Sequence, residues 1–183
     1  MAMKFHKVSW EELEKQCLEL ALKTKNTKIN RIICISRGGL VWARMLSDLL
    51  SIPVSHLTVE SYADLKQIKT PIVTESPTHL PERETWLVVD EICDTGNTFK
   101  VVIDHLKKIR TKKIYTLAPI IKSHSKFIPD FWVEKIDAWV IFPYELRETY
   151  ESFLKVFKSK NEALDALKKN FQPQKVDSVE KLI

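Results

Sequence analysis

The sequence predicts an α/β fold, a mainly parallel sheet flanked by helices, and three observations support this prediction. Short apolar runs rich in β-branched residues, such as Arg31–Ile35 and Trp86–Val89, are typical of buried strands. Each run is followed by a small polar loop and then by apolar residues at helical spacing. All three glycines of the 183-residue chain, Gly38, Gly39 and Gly96, lie in these two loops. Repeated units of strand, loop and helix favour right-handed crossovers, with a ligand over the carboxyl ends of the strands.

Composition indicates a globular protein with one domain, residues 1–183. The chain is 44% hydrophobic and 29% charged, and it has no apolar run long enough for a membrane helix. No charged and apolar leader precedes the first predicted helix, so we expect a soluble cytoplasmic protein without a membrane partner. The three cysteines are widely spaced and form no metal-binding motif, which indicates a reducing compartment and no structural metal.

A formal net charge of +5 raises the question of a nucleic-acid partner. The densest basic run, Lys107–Lys113, follows a predicted helix, where cations complement the negative end of the helix dipole. We interpret it as a solvated helix end, and nucleic acid is not an expected partner. A positive field would also steer a polyanionic substrate towards the protein. The glycine motifs of dinucleotide-binding and P-loop proteins are both absent from the sequence.

The N-terminal part of the chain is predicted as helix, strand, helix and strand. Ser9 and Glu12 form a capping box for an amphipathic helix over 9–24. The apolar stripe of this helix comprises Trp10, Leu13, Cys17, Leu20 and Ala21. After the strand at Arg31–Ile35, a glycine loop leads into a helix over Leu40–Leu50, and Ile52–Val59 alternates as a further strand.

Residues 60–85 contain three prolines and only scattered apolar side chains. A stretch of this length without a clear helix or strand is usually a lid or a binding loop, so we expect a flexible loop here. A solvated hairpin is the alternative.

The chain is organised around the stretch Trp86–Phe99, in which a buried strand runs into two acids, a small polar loop and a helix. Adjacent carboxylates at a strand end, here Asp90 and Glu91, accept hydrogen bonds from vicinal hydroxyls and can help to hold Mg²⁺. The following loop suits a phosphate, because the free N–H groups and the dipole of the helix favour an anion. Together these features describe a site for a ribose 5-phosphate. The alternative is an ordinary turn in which Asp94 or Asn97 caps the helix.

Three apolar segments follow this central unit: Ile114–Ala118, which is predicted as a strand, Phe131–Val133 and Ala138–Pro143. A C-terminal helical extension is expected over about 145–183. Its two amphipathic patterns, Glu145–Phe157 and Asn161–Phe171, precede a polar tail.

Leu87–Thr98 resembles the phosphoribosyl diphosphate (PRPP) signature of the type I phosphoribosyltransferases. It differs from the commonest form of that signature at Glu91 and Asn97, and neither change removes a charge or a hydroxyl that the site needs. Ser36–Gly39 is similar to the loop that holds pyrophosphate in the 6-oxopurine members of the family, in which the peptide at this point is often cis. We therefore expect a cis peptide between Ser36 and Arg37.

The resemblance implies a role for each residue of these two loops. Asp90 and Glu91 would hold the ribose hydroxyls and Mg²⁺. Asp94 would take or share the purine N7 proton, and Arg37 would neutralise the leaving pyrophosphate, so these two are the candidate catalytic residues. The other pyrophosphate ligands would be Ser36, Gly38 and Gly39. The 5-phosphate ligands would be Thr95, Gly96, Asn97 and Thr98.

In the xanthine-guanine subgroup of this family, a lysine faces the 6-oxo group of the purine and an aromatic side chain stacks on the base. The resemblance places Lys122 and Trp132 at these positions, with Val133 as a further contact. Trp139 is the competing aromatic and is interpreted as core. A small hood, built from the N-terminal helix and residues 119–137, would cover the base. The resemblance covers about residues 30–145, which we expect to be the core of the domain.

The resemblance also implies that residues 60–85 close over PRPP, with Lys66 or Lys69 as the cation that faces its phosphate. The expected reaction is transfer of 5-phosphoribosyl from PRPP to a 6-oxopurine base in purine salvage, by a homo-oligomer that is a dimer or a tetramer. Two alternatives stay open. One is a nucleotide-sensing regulator of the same fold that binds RNA, and the other is a transferase for a pyrimidine or another base.

Overall fold

The computed structural model describes residues 4–63 and 66–181, with the backbone alone described for 61–63, 66–70 and 179–180. Contacts divide the chain into two compact units, one of Met1–Leu13 with Ala138–Ile183 and the other of Glu14–Asp137. The expectation of a single domain over 1–183 stays a prediction. None of the helices in the described ranges is long and apolar enough to cross a membrane.

Ten strands and six helices are present in the described residues. The strands are β1 (Phe5–Lys7), β2 (Arg31–Ser36), β3 (Val54–Ala63), β4 (Lys66–Glu75), β5 (Thr85–Val89), β6 (Ile92–Cys93), β7 (Lys113–Leu117), β8 (Ile120–Ile121), β9 (Glu134–Lys135) and β10 (Trp139–Ile141). The helices are α1 (Trp10–Thr24), α2 (Leu40–Leu50), α3 (Asn97–Leu106), α4 (Leu146–Val156), α5 (Lys160–Asn170) and α6 (Pro173–Glu180).

The larger unit is built on a five-stranded sheet in the order β4-β3-β2-β5-β7, which confirms the predicted α/β fold. The pairs β2–β3, β2–β5 and β5–β7 are parallel, whereas β4 runs antiparallel to β3. The register places Cys34 of β2 opposite Val89 of β5. The carboxyl ends of these two central strands therefore lie side by side, at the edge where α/β sheets bind their ligands.

The prediction that residues 60–85 lack regular structure is wrong. β3 continues to Ala63 and forms an antiparallel hairpin with β4, which is an edge strand of the sheet. An edge strand tolerates Pro71, because a proline there need not donate to a second neighbour. Residues 64 and 65 and the side chains of Lys66 and Lys69 lie outside the described part of the structure. Closure of this segment over a ligand stays a prediction.

The core of the larger unit is formed where α3 packs on the sheet. Phe99, Val102 and Leu106 of α3 belong to one buried cluster with Trp86 and Val88 of β5. This burial explains the helical spacing of apolar residues after the central loop. It also fixes the start of α3 beside the end of β5.

Helix α1 begins as predicted, since Ser9 Oγ accepts a hydrogen bond of 3.1 Å from the N–H of Glu12. Most of the predicted apolar stripe is buried, at Leu13, Cys17, Leu20 and Ala21. Trp10 is 50% exposed, so its assignment to the buried stripe is wrong.

Two hydrogen bonds connect α1 to the segment around β9. Gln16 Nε2 donates to Glu134 Oε1 at 2.8 Å, and Lys23 Nζ donates to the carbonyl of Trp132 at 2.8 Å. This segment belongs to a second, small parallel sheet in the order β6-β8-β9. The elements of the predicted hood are therefore in contact, and their role in covering a base stays a prediction.

In the smaller unit, β1 pairs in parallel with β10, and helices α4, α5 and α6 share a core of their own. The segment after α5, which was predicted only as a polar tail, forms helix α6, and its Val176 is fully buried in that core. Trp139 is 46% exposed at the start of β10, so its interpretation as core is also wrong.

Candidate active site

The loop between β2 and α2 passes very close to the neighbouring strand. A Cβ atom at Gly39 would lie 2.5 Å from the carbonyl oxygen of Val89 and 2.8 Å from that of Ile35, so glycine is required at this point. The peptide between Ser36 and Arg37 is cis, as predicted. Ser36 is half-buried and Arg37 is exposed. The loop therefore carries an exposed arginine directly beyond the carboxyl end of β2.

The acids Asp90 and Glu91 follow the carboxyl end of β5, beside this loop. Asp90 is buried, and burial raises the pKa of its carboxyl, although hydrogen bonds with Glu91 oppose that effect. One of these bonds is donated by the N–H of Glu91 to Asp90 Oδ1 at 3.1 Å. The Glu91 carboxylate occupies the space in which a side chain at Gly38 would lie. The acid pair and the 36–39 loop thus form one continuous surface.

The residue at the N-cap of helix α3 is a glycine, so it has no side chain to cap the helix. Its N-cap residue is Gly96, with φ of 83°, and a Cβ atom there would overlap the side chain of Phe127. The N–H of Asn97 donates to Thr95 Oγ1 at 3.3 Å, and the carboxylate of Asp94 points to a partner outside the helix. A turn capped by Asp94 or Asn97 therefore does not describe this loop.

Helices α2 and α3 share one feature at their N-termini. Both have a glycine at the N-cap, and within the described residues neither has an acidic residue in its first turn or a side-chain hydrogen bond from its cap residue. The first N–H groups of a helix lack intrahelical acceptors and carry the positive end of its dipole. Two such ends, placed after neighbouring parallel strands, can each bind an anion.

Asp94 contacts a histidine that sequence reasoning missed. Its Oδ1 atom lies 2.7 Å from Nε2 of His124, and the two side chains are 61% and 63% exposed, respectively. The contact arises because β6 and β8 are parallel neighbours, with Cys93 opposite Ile121. In the sequence, the polar run after β8 was the available signal for His124. The pairing of β6 with β8 was not predictable, because strands of two residues have no local pattern that specifies a partner.

Lys122 lies in the same polar run and is half-buried. Burial lowers the pKa of its ammonium group, and the charges of Asp94 and Asp137 act in the opposite direction. Hydrogen bonds from Ser123 lower the pKa of the Asp137 carboxyl, and one of them is donated by the Ser123 N–H at 2.9 Å. The charges of His124 and Lys122 lower it further. The charges of Asp94 and Asp137 therefore act on the Lys122 ammonium group, and the charges of His124 and Lys122 act on the Asp137 carboxyl.

A cavity of about 400 Å³ is lined by Lys23, Asp130, Phe131, Trp132 and Val133. Trp132 also packs against the buried core of the unit. Within the described residues, the lining includes neither Lys122 nor Asp94. The structure thus brings Trp132 and Val133 together, but it does not place Lys122 in the same cavity.

The thiols near these loops are not candidate nucleophiles. Burial raises the pKa of Cys34 to about 12, and it also raises the pKa of Cys93. A nucleophilic cysteine needs a lowered pKa and access to substrate, and both of these side chains are buried. The chemistry of the site therefore belongs to its carboxylates, its cations and its backbone N–H groups.

The chain matches the family model of the phosphoribosyl transferase domain over residues 9–150. Among curated proteins, the xanthine-guanine phosphoribosyltransferase of Idiomarina loihiensis is 34% identical over 145 residues, which cover 78% of this chain and 88% of that protein. The range matched by the family model includes the 36–39 loop, the acid pair and the 94–98 loop.

Solved structures with the same fold include a purine phosphoribosyltransferase from Pyrococcus horikoshii. It has a TM-score of 0.70 and 31% identity, and the match covers 78% of this chain and 95% of that one. The xanthine-guanine-hypoxanthine phosphoribosyltransferase of Helicobacter pylori has a TM-score of 0.67 and 25% identity, with 84% of this chain and 99% of that one covered.

Proposed function

The chain belongs to the phosphoribosyltransferase family, and from this premise we propose that it transfers the 5-phosphoribosyl group of PRPP to a ring nitrogen of a 6-oxopurine. The products are a nucleoside monophosphate and pyrophosphate, which is the chemistry of purine salvage. The observation that carries the proposal is a pair of glycine-capped helix ends beside the acids Asp90, which is buried, and Glu91, which is half-buried, at the carboxyl edge of one sheet. The names of the relatives, xanthine-guanine and purine phosphoribosyltransferases, support a 6-oxopurine as the acceptor.

PRPP carries a diphosphate on C1 and a phosphate on C5 of its ribose, and each anion is assigned to one helix end. The diphosphate is assigned to the 36–39 loop, where Arg37 adds a fork of N–H donors to the N–H groups of α2. Negative charge grows on this group as its bond to the sugar breaks. Donors fixed in advance at that position stabilise the transition state more than the ground state.

The 5-phosphate is assigned to the N-terminus of α3. The hydroxyls of Thr95 and Thr98, the amide of Asn97 and the backbone at Gly96 supply its donors. Binding both ends of PRPP holds the anomeric carbon at one position relative to the base. Positioning of this kind is a large share of catalysis when the protein forms no covalent bond to the substrate.

The acid pair fits a Mg²⁺ ion that is held together with the substrate. Mg²⁺ prefers oxygen ligands and is usually bound by one or two carboxylates, substrate phosphates and water. The Glu91 carboxylate adjoins Gly38 in the loop assigned to the diphosphate, so an oxygen donor of the required kind is in place. Asp90 and Glu91 would hold the ion and the ribose hydroxyls. The ion, when bound, would neutralise charge on the leaving diphosphate.

Gly38→Ala is expected to weaken PRPP binding by about tenfold or more, because the new methyl group would displace the Glu91 carboxylate and lose a contact worth about 1.5–3 kcal/mol. Titration calorimetry with PRPP and Mg²⁺ measures this affinity. Stability should change little, since Glu91 is a flexible side chain.

Gly39→Ala is the matched comparison for that variant. Its methyl group would meet backbone carbonyls, so we expect the free energy of unfolding to fall by about 1–3 kcal/mol. An unchanged PRPP affinity in Gly38→Ala would argue that Glu91 is not a ligand of this substrate.

The purine would approach the anomeric carbon from the side of Asp94. As purine N9 forms its bond to the anomeric carbon, the N7 proton becomes acidic, and the Asp94 carboxylate would take or share it. Lys122 would donate a hydrogen bond to the 6-oxo group, which adenine lacks. Trp132 would supply a stacking face, with Val133 beside it.

Lys122→Met and Trp132→Leu test the assignment of the base, because they should change selectivity in different ways. Loss of the Lys122 ammonium should reduce kcat/KM for guanine by about tenfold or more, with little effect on the low activity with adenine. Trp132→Leu keeps apolar bulk against the core and removes the aromatic face. It should weaken all purines similarly, by about 1–3 kcal/mol.

Rates of pyrophosphate release with each base measure both effects, and thermal unfolding confirms that the variants are folded. Lys15→Met, on the exposed surface of α1, is a control for loss of one lysine. If Lys122→Met kept the wild-type ratio of guanine to adenine activity, recognition of the 6-oxo group would have to be assigned to another residue.

A further inference from the structure

His124, which contacts Asp94, lies outside the motifs that predicted the site. We propose that His124 is a positioning residue, which holds the Asp94 carboxylate in the orientation that accepts the purine proton. This role rests on the proposed function, because that function makes Asp94 the general base.

Backbone hydrogen bonds align the two loops on both sides of this contact. The N–H of Lys122 donates to the carbonyl of Cys93 at 3.0 Å, immediately before Asp94. The N–H of Lys126 donates to the carbonyl of Thr95 at 3.3 Å, immediately after it. His124 lies midway between the two lysines in sequence. Its side chain is therefore directed to Asp94 by a pair of loops with a defined register.

The loop that carries His124 is also anchored to the core. Ser125 Oγ donates to the carbonyl of Phe127 at 2.7 Å. The Phe127 ring stacks on Phe99 of α3, with ring centroids 5.4 Å apart and an angle of 10° between the planes. The same Phe127 side chain fills the space beside Gly96. His124 is thus carried by a segment that packs on the first turn of the helix following Asp94.

The chemistry of the contact assigns different tasks to the two oxygens of Asp94. An ionised carboxylate has no proton to donate, so Nε2–H of His124 donates to Oδ1. No residue in the described part of the chain donates to Oδ2, which leaves that oxygen to receive the purine proton. An aspartate that is 61% exposed would otherwise sample several rotamers, and proton transfer needs one of them.

His124→Ala and His124→Gln test this role. The alanine variant should lower kcat by about tenfold, within the roughly 100-fold that misplacement of a reacting group can cost, and it should leave the KM for PRPP nearly unchanged. Glutamine keeps an N–H donor at a similar distance from the backbone, so His124→Gln should recover most of the lost kcat. A residue that served only to stabilise the loop would not produce this separation of kcat from KM.

A double-mutant cycle with Asp94→Asn shows whether His124 acts through the carboxylate. If it does, adding His124→Ala to Asp94→Asn should cause almost no further loss of kcat. A full additional loss would mean that His124 contacts the substrate directly, and it would overturn the positioning role.

His105→Ala is the matched control, since His105 also bonds a neighbouring side chain, Ser76 Oγ at 2.9 Å, in the last turn of α3. It should keep wild-type kcat. A wild-type protein without transferase activity on any base would overturn both the proposed function and this role. An active wild-type protein whose folded His124→Ala variant kept kcat within about twofold would overturn the role of His124 alone.

Discussion

Asp94→Asn should lower kcat by roughly 10²–10⁴-fold and leave the KM for PRPP almost unchanged. The amide has nearly the shape of the carboxylate but cannot accept the purine N7 proton. The 61% exposure of the Asp94 side chain leaves it accessible to a bound base. Steady-state rates of pyrophosphate release, with PRPP as the varied substrate and guanine at a saturating concentration, measure both quantities.

Asp104→Asn is the control for this variant, because Asp104 is an exposed aspartate of α3 that lies 3.9 Å from the ammonium group of Lys107. It should keep full activity. If kcat of Asp94→Asn stayed within about twofold of wild type, Asp94 would have to be a structural partner of His124, and the general base would have to be another group.

Replacing both acids, as Asp90→Asn with Glu91→Gln, should reduce PRPP affinity by more than tenfold. Each carboxylate is a charge-assisted acceptor worth about 1.5–3 kcal/mol, and Asp90 is buried, where such a contact is little screened by water. The loss should be greatest in the presence of Mg²⁺, since the variant also lacks the negative charge that attracts the ion. Calorimetric titration with and without Mg²⁺ measures both quantities.

The control for the double replacement is Glu82→Gln with Asp104→Asn, which removes two exposed acids of the same types. It should bind PRPP like wild type. Equal PRPP affinities for Asp90→Asn with Glu91→Gln and for wild type would contradict the assignment of the ribose site.

Much of the fold follows from local sequence patterns. The runs at Arg31–Ile35 and Trp86–Val89 form strands because apolar β-branched residues without turn signals have few other buried conformations. The glycine loops follow these strands as expected. Glycine is required in them because a Cβ atom at Gly39 would clash with backbone carbonyls and because Gly96 has a positive φ. Features that depend on one strand, one loop and one helix are therefore predictable from sequence.

Features that depend on distant partners were not predictable in the same way. The β3–β4 hairpin is stabilised by pairing along the edge of the sheet, and the proline and two lysines of β4 hid the strand pattern. Trp10 and Trp139 fit apolar patterns but face solvent at the ends of their elements, where periodicity is a weak guide. The contact of Asp94 with His124 required the pairing of β6 with β8, which no local signal specifies.

The most direct test of the central claim is a nucleobase panel with the wild-type protein, PRPP and Mg²⁺, in which both pyrophosphate and nucleotide are measured. We expect hypoxanthine, guanine or xanthine to yield one nucleoside monophosphate per pyrophosphate, and adenine and orotate to yield almost none. Efficient turnover of adenine or orotate would contradict the 6-oxopurine assignment and leave the PRPP site intact. Failure of every base to release pyrophosphate from PRPP would contradict the transferase function itself.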